Sequence, residues 1–366
     1  MNDTITFALP FFLSAAVAYA ATTLSIRFSV RRRILDLPNP RSSHTRAMPR
    51  VGGIGIVSGF MVTFLLTWLL ARLGLAPLRP DGREMIFVIL VGGAMAVLGF
   101  YDDWQGLPPA PKYLFQVVIA VAVVAWGWRL EVIAVPFVGL IPFGILAIPL
   151  TLLWLTGFAN IFNFMDGIDG LAGGTAFLYG LFFLCFASLE GNQTAALVAL
   201  LVTGSALGFL PHNFPRARTF MGDTGSLFLG LLLAMLVVAL ADASLRPGDT
   251  LVALLLVCSV YLFDSGYTLL RRLRRRENIF RAHRSHLYQR LVQAGLSHAQ
   301  VTGLYLALHA LAWALALAYL QESESEAARL GILVLLFLVL VGLTLVVRRL
   351  EGRAADRVRS EKGSLS

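Results

Sequence analysis

Apolar runs of about 20 residues recur along almost the whole chain, each long enough to cross a ~30 Å hydrocarbon layer as a helix. Such a chain has few ways to fold, because lipid leaves backbone N–H and C=O groups no partner outside the segment itself. Eleven spans are read, at 6–26, 51–71, 84–101, 113–128, 143–161, 170–188, 195–212, 225–241, 250–270, 299–320 and 328–347. The expected fold class is all-α, a polytopic transmembrane helical bundle. The third, fourth, sixth and eighth runs are short, so some of them should end in buried polar structure. Composition agrees: 57% of residues are apolar and 14% charged, against roughly a quarter charged in a soluble domain. That excludes a soluble two-domain enzyme, a disordered tail protein and a disulfide scaffold. Both cysteines, Cys185 and Cys258, lie inside apolar runs and report no redox compartment. The first seven residues lack the basic stretch that opens a cleaved signal peptide.

Alternate connections divide the charge unevenly. Segments 27–50, 102–112, 162–169, 213–224, 271–298 and 348–366 hold 24 of the 30 Lys and Arg residues. The positive-inside rule then puts the amino terminus outside and the carboxyl terminus in the cytoplasm. The expectation is one membrane-embedded domain over 1–347, with five cytoplasmic loops at 27–50, 102–112, 162–169, 213–224 and 271–298. A basic cytoplasmic tail follows at 348–366. A multi-pass protein of the cytoplasmic (inner) membrane explains the net charge of +9 better than nucleic acid does.

The acids sort differently. Asp102, Asp103, Asp166, Asp169 and Asp223 fall at the cytoplasmic ends of spans among Gly, Phe and Leu. Acids in such surroundings are costly and need partners, which suggests one shared site. Adjacent Asp102 and Asp103 point about 100° apart on a helix, so one can hold a cation or act as a base while the other holds a neighbour. Lys112, one of two lysines, either snorkels or meets an anion. In Asn160-Ile-Phe-Asn163-Phe-Met-Asp166-Gly-Ile-Asp169-Gly170, polar groups recur every third residue. A single polar stripe there requires a tightened or broken helix end. Its oxygens suit a hard divalent cation or hydrogen bonds from a base or sugar. Phe220-Met-Gly-Asp223-Thr224-Gly-Ser226 opens the eighth span, with Thr224 or Ser226 expected as N-cap and free N–H groups that attract phosphate. Phe220 stacks on a base or plugs the core.

The loop from Arg271 to Arg290 carries eight arginines with His283 and His286. Phosphate binding suits it better than zinc, since no further imidazole or thiol lies nearby, and Arg271 to Arg276 also suit anionic lipid. Asp264 lies inside the ninth span, as a functional acid or the partner of an arginine. The first loop, with Arg41, His44, Arg46 and Arg50, contacts phosphate or sets topology. No Gly-x4-Gly-Lys-Ser/Thr loop, His-Glu-x2-His helix or Gly-x-Ser-x-Gly elbow is present.

Four blocks together resemble the polyprenyl-phosphate N-acetylhexosamine-1-phosphate transferases, relatives of phospho-MurNAc-pentapeptide transferase. They are Tyr-Asp-Asp-Trp at 101–104, Asn-Phe-Met-Asp-Gly-Ile-Asp-Gly at 163–170, Phe-Met-Gly-Asp-Thr-Gly-Ser at 220–226 and Ala-His-Arg-Ser-His-Leu-Tyr-Gln-Arg at 282–290. The histidine block and the Arg-Ser-Ser-His-Thr-Arg stretch at 41–46 look most like the bacterial branch that begins O-antigen, a lipopolysaccharide component. The resemblance implies attack of a polyprenyl phosphate on the β-phosphorus of a UDP-N-acetyl sugar, releasing UMP. It implies Mg²⁺ (or Mn²⁺) on Asp223 and Asn163, and Asp102, Asp103 and Asp166 as catalytic acids or bases. Either direct displacement or a covalent Asp step fits the family. Lys112, Arg46 and Arg50 would bind phosphate, Asp169 and Phe220 uracil, and His283, Arg284 and His286 the sugar or diphosphate. The implied partners are polyprenyl phosphate, a UDP-N-acetylhexosamine (GlcNAc, FucNAc or QuiNAc) and membrane lipids, with no nucleic acid and a homodimer left open. The block lacks the triple-histidine form of some relatives, and Val51 stands where related sequences often have glycine. A transporter would show repeat symmetry and a site near the midplane. A CDP-alcohol phosphotransferase would need Ala-Arg soon after Asp166-Gly167, where Leu171-Ala172-Gly173 follows instead.

Overall fold

In the computed structural model, residues 3–35, 47–75, 80–278, 283–322 and 325–363 are described. Among these residues, twelve α-helices and one short hairpin form in chain order: α1 (Asp3–Arg32), α2 (Gly52–Arg72), α3 (Gly82–Gln105), α4 (Pro109–Trp126), β1 (Val132–Val135), β2 (Gly139–Pro142), α5 (Ala147–Phe164), α6 (Leu171–Leu189), α7 (Gln193–Asn213), α8 (Gly222–Ala243), α9 (Pro247–Arg274), α10 (Leu287–Gln293), α11 (His298–Gln321) and α12 (Glu326–Gly363). Every helix but α10 is long and apolar enough to cross a membrane, which gives the eleven expected spans.

The bundle is built around α8. Every residue of that helix from Gly222 to Ala241 is buried. A helix apolar on all sides belongs inside a bundle rather than at its lipid surface, and α2, α3, α5 and α9 all pack on α8. By contrast, α4 turns Leu114, Phe115, Val118 and Val121 outward, an apolar face that suits lipid. Dispersion and close approach, not hydrophobic exclusion, hold helices together in lipid. Small residues accordingly line the closest contacts. At the N-terminus of α2, a Cβ on Gly53 would run into the backbone of Gly225 in α8.

Two features differ from the sequence reading. The connection between α4 and α5 folds as an antiparallel hairpin, with Val132 opposite Pro142 and Val135 opposite Gly139. Its β-branched residues favour pleated backbone, and Phe137 and Gly139 turn the chain with positive φ. The last helix also runs unbroken past residue 347, the expected end of the eleventh span, to Gly363. Both oxygens of Glu351 on that extension hold Arg290 of α10 at 2.6 Å.

Candidate active site

The N-termini of α2, α4 and α8 meet the C-termini of α3 and α5 at one end of the bundle, opposite the hairpin. Each short motif contributes there for a local reason. Helix α3 stops because Gly106 adopts left-handed backbone (φ 68°) and its N–H closes on the Asp102 carbonyl at 2.8 Å. Asp102 is left on the last turn, where its carboxylate accepts the Leu107 N–H at 2.6 Å. Pro108 and Pro109 then start α4, since proline at the first helical position lacks only an N–H that would be unpaired anyway. That start aims Lys112 back, so its Nζ lies 2.6 Å from Asp102 Oδ2 and also pairs with Asp223 Oδ2.

Asp103 has a different fate. Its carboxylate accepts the backbone N–H groups of Asp223 and Thr224, each at 2.8 Å, and the Thr224 hydroxyl at 2.7 Å. It therefore caps α8 from another helix. This corrects the expectation that Thr224 or Ser226 would cap: the helix begins at Gly222 without a side-chain cap of its own. The Thr224 hydroxyl points to Asp103, and the Ser226 hydroxyl donates back to the Gly222 carbonyl at 2.8 Å. The anion attracted to this helix start is the chain's own carboxylate. Gly222 is needed for two reasons. Its φ of +69° is left-handed, and a Cβ there would stand 2.6 Å from Asp103 Oδ2.

Asp223 is the hub. Oδ1 receives Arg50 Nη2 at 2.6 Å and Asn163 Nδ2 at 3.1 Å, and Oδ2 receives Lys112. Arg50 also reaches Asp103 Oδ1 through Nε at 3.1 Å. Arg50 is placed by the pairing of the 49–53 stretch with the start of α8. Phe220 N–H donates to the Pro49 carbonyl, Gly52 N–H to the Phe220 carbonyl and Gly53 N–H to the Met221 carbonyl, at 2.8–3.0 Å. The Arg50 side chain is 42% exposed while that of Asp223 is 9% exposed, so the site opens on the arginine side.

The polar stripe of α5 divides. Asn160 pairs with Gln116 of α4 through two amide hydrogen bonds of 2.5 and 3.4 Å. Asn163 reaches Asp223 and, at 2.8 Å, Ser226. The helix ends at Phe164, as the broken-end reading required. Asp166 follows on the turn, half-buried, with Gly222 N–H donating to its carboxylate. Burial pushes the Asp166 carboxyl up to about 7. The Arg50 guanidinium holds it down, while Asp223 and Asp103 push it further up. Asp169 is engaged elsewhere: it accepts Ala217 N–H at 3.1 Å and pairs with His298 Nδ1 at 3.2 Å.

His283 and Arg284 are half-buried, whereas His286 is buried, with Nδ1 3.2 Å from Asp264. The His283 ring lies 5.1 Å from that of His286, which in turn lies 6.2 Å from Phe164 beside Asn163. Arg41, His44 and Arg46 lie outside the described residues. Sequence reasoning missed Ser226 as a partner of Asn163, His298 as a partner of Asp169 and Gln116 as a partner of Asn160. Only Gln116 left a trace, as a lone amide in an apolar run.

Oxygen donors and acidic charge fit a hard divalent cation better than a soft one. Among the described residues no three His, Cys, Asp or Glu side chains form a metal-holding group. Mg²⁺ usually takes one or two protein carboxylates and completes its shell with substrate phosphates and water, and Asp223 with the Asn163 amide offers such a donor set.

Fold and site define a polytopic membrane protein with an acidic, cation-laced cluster at one end of its helices. Residues 85–241 match the family described as glycosyl transferase family 4. The chain is 33% identical over 298 residues to the probable undecaprenyl-phosphate N-acetylglucosaminyl 1-phosphate transferase of Bacillus subtilis (strain 168), covering 79% of this chain and 78% of that protein. It is 31% identical to the decaprenyl-phosphate N-acetylglucosaminephosphotransferase of Mycobacterium leprae (strain TN), over 83% and 81% of the two chains. It is 34% identical to the phospho-N-acetylmuramoyl-pentapeptide-transferase of Synechococcus sp. (strain JA-3-3Ab), over 83% and 89%. The chain belongs to glycosyl transferase family 4.

Proposed function

We propose that the protein transfers N-acetylhexosamine 1-phosphate from a UDP-sugar to polyprenyl phosphate. A phosphate oxygen of the lipid forms a bond to the donor's β-phosphorus. The bond from that phosphorus to the bridging oxygen breaks, and the bridging oxygen leaves on UMP. The observation that carries this reading is the convergence of Asp102, Lys112, Asp223, Arg50 and Asn163 from five separate helix ends. Such a site suits a reaction between phosphates, where charge neutralisation and alignment matter more than a strong protein nucleophile. We take direct displacement as the mechanism on that ground.

Asp223, with the Asn163 amide oxygen, would hold Mg²⁺, which when bound neutralises diphosphate charge. Lys112 and Arg50, which pair with Asp223 in this structure, would meet phosphate oxygens of the substrates. Asp102 orients the acceptor phosphate and takes its proton. Asp103 keeps Asp223 in place by capping α8, and Asp166 lines the same turn as Asn163. Asp169 and Phe220 would meet uracil, and His283 and Arg284 the sugar diphosphate, with His286 behind them. Arg46 would add a phosphate contact from the first loop.

We place this end in the cytoplasm on the distribution of Lys and Arg, in a single domain spanning 1–347 with α12 continuing into the tail. GlcNAc leads the donors, because two of the relatives carry it in their names. The product would begin a cell-surface glycan, a cell-wall polymer ahead of O-antigen given those relatives. The test is purified protein with undecaprenyl phosphate, Mg²⁺ and a panel of UDP-N-acetylhexosamines. UMP and a lipid-linked sugar should appear. Release of UDP, or turnover indifferent to divalent cations, would sink the proposal.

A further inference from the structure

Asp264 sits ten residues before the end of α9, about 15 Å along the helix axis, and is 1% exposed. A carboxylate that deep must be satisfied by the protein. Five donors from three helices and the segment before α10 converge on it. Oδ1 takes the Leu287 N–H at 2.8 Å, His286 Nδ1 at 3.2 Å and the Thr268 hydroxyl at 3.3 Å. Oδ2 takes the Tyr305 hydroxyl at 2.6 Å and the Tyr288 N–H at 3.2 Å. Leu287 and Tyr288 are the first two residues of α10, whose N-cap position is held by His286 in extended backbone. Asp264 is thus the cap of a helix that begins 23 residues later, and its charge fills the place where unpaired N–H groups would otherwise be buried.

What α10 holds gives the cap its consequence. The Tyr288 hydroxyl donates to the Phe164 carbonyl at 2.9 Å, and a Cβ on Gly167 would collide with that hydroxyl. Tyr288 is therefore wedged under the 164–167 turn, which follows Asn163 and carries Asp166. On the other flank, the His286 ring fixed by Asp264 lies 5.1 Å from the His283 ring, tilted by 31°. One carboxylate consequently sets two things at once: where the His283–Arg284 segment stands and how the Asn163–Asp166 turn is supported.

We propose that Asp264 is a positioning residue for the sugar-diphosphate end of the site, acting through α10 and touching no substrate itself. The inference deepens the transferase reading and rests on it. An amide cannot replace the carboxylate, because each oxygen accepts a backbone N–H and an NH₂ in either place would face that donor. Tyr305→Phe removes one donor and leaves both backbone caps in place.

The experiment compares wild type, Asp264→Asn and Tyr305→Phe for kinetics with UDP-GlcNAc and undecaprenyl phosphate, and for amide hydrogen exchange in detergent. Asp264→Asn should raise KM for the UDP-sugar by about tenfold or more while KM for the lipid stays within about twofold. The amides of Leu287 and Tyr288 should lose protection while α8 keeps its own. Tyr305→Phe should shift the same quantities the same way by a smaller factor. Wild-type KM and wild-type protection in Asp264→Asn would overturn the proposal. So would a fall in kcat at unchanged KM with protection lost along the whole chain, which marks a role in stability alone. If wild type uses no UDP-sugar, the transferase reading fails by itself, and exchange at 283–290 still decides whether Asp264 seats the segment.

Discussion

Asp223 and Asp264 are both buried carboxylates in a helix bundle, and they are held in opposite ways. Asp223 is met by two cationic side chains and an amide, with Arg50 reaching it from the open side. Asp264 is met by backbone N–H groups, hydroxyls and an imidazole, all from buried positions. Side-chain cations on flexible stems can be exchanged for a metal ion or a phosphate. Backbone donors at a helix start cannot leave without unwinding the helix. The first arrangement suits a site that changes partners during a reaction, and the second suits a fixed joint. Asp103 belongs with the joints although it is adjacent in sequence to Asp102, because its oxygens are taken by the start of α8.

The contrast can be broken most strongly at Asp223. Asp223→Ala removes the group on which both cations and Asn163 converge, and turnover should fall by about a thousandfold or more while the protein still inserts and elutes as wild type. UMP release by the purified variant is the check, and a rate near wild type would return Asp223 to the class of structural acids. Asp103→Asn comes next. It turns an NH₂ toward an N–H of α8, at a cost of about 1–3 kcal/mol, so a lowered Tm should accompany the loss of rate, unlike in Asp223→Ala. Equal Tm values for the two variants would erase the distinction between exchangeable and fixed acids.

Asp166 gives a smaller effect with a definite sign. Its folded-state pKa, about 7, lies above the ordinary carboxylate value of 3.8. The folded protein then holds a proton that the unfolded chain has lost between those values, and stability contributed by this group falls as pH rises through that window. The Tm of substrate-free protein should decline from pH 5 to pH 7 and level off above, and Asp166→Asn should flatten that part of the slope. Gln116→Leu probes the least consequential pair. It leaves Asn160 without its amide partner between α4 and α5, for a loss of about 1 kcal/mol in stability. UMP release should be unchanged, which a coupled assay would show.

The spans, their ends and the gathering of Asp102, Asp103, Asp166 and Asp223 at one end were legible from the chain, whereas Asp169, expected among them, pairs with His298 and the Ala217 N–H instead. Apolar run length reports crossing segments directly, and breakers such as Gly106, Pro108 and Pro109 mark where they stop. The split of the 160–169 stripe was legible only in part, as a broken helix end. Its three separate partnerships, with Gln116, with Asp223 and with His298, depend on which helix packs against which face of α5 and its turn. Local rules also chose the wrong cap for α8, because they weigh only residues one to three positions away, whereas Asp103 arrives from 120 residues earlier.

By itself, then, the order of residues determined an eleven-span bundle and the motifs that give it acids, cations and amides at one end. Those properties depend on hydrophobic length and on side-chain chemistry, which a linear chain carries in full. Tertiary structure alone decided which acid is free to exchange partners and which is locked. Asp102 and Asp103 are neighbours of identical chemistry. Their roles separate only when helix packing brings Lys112 to one carboxylate and the bare N–H groups of α8 to the other.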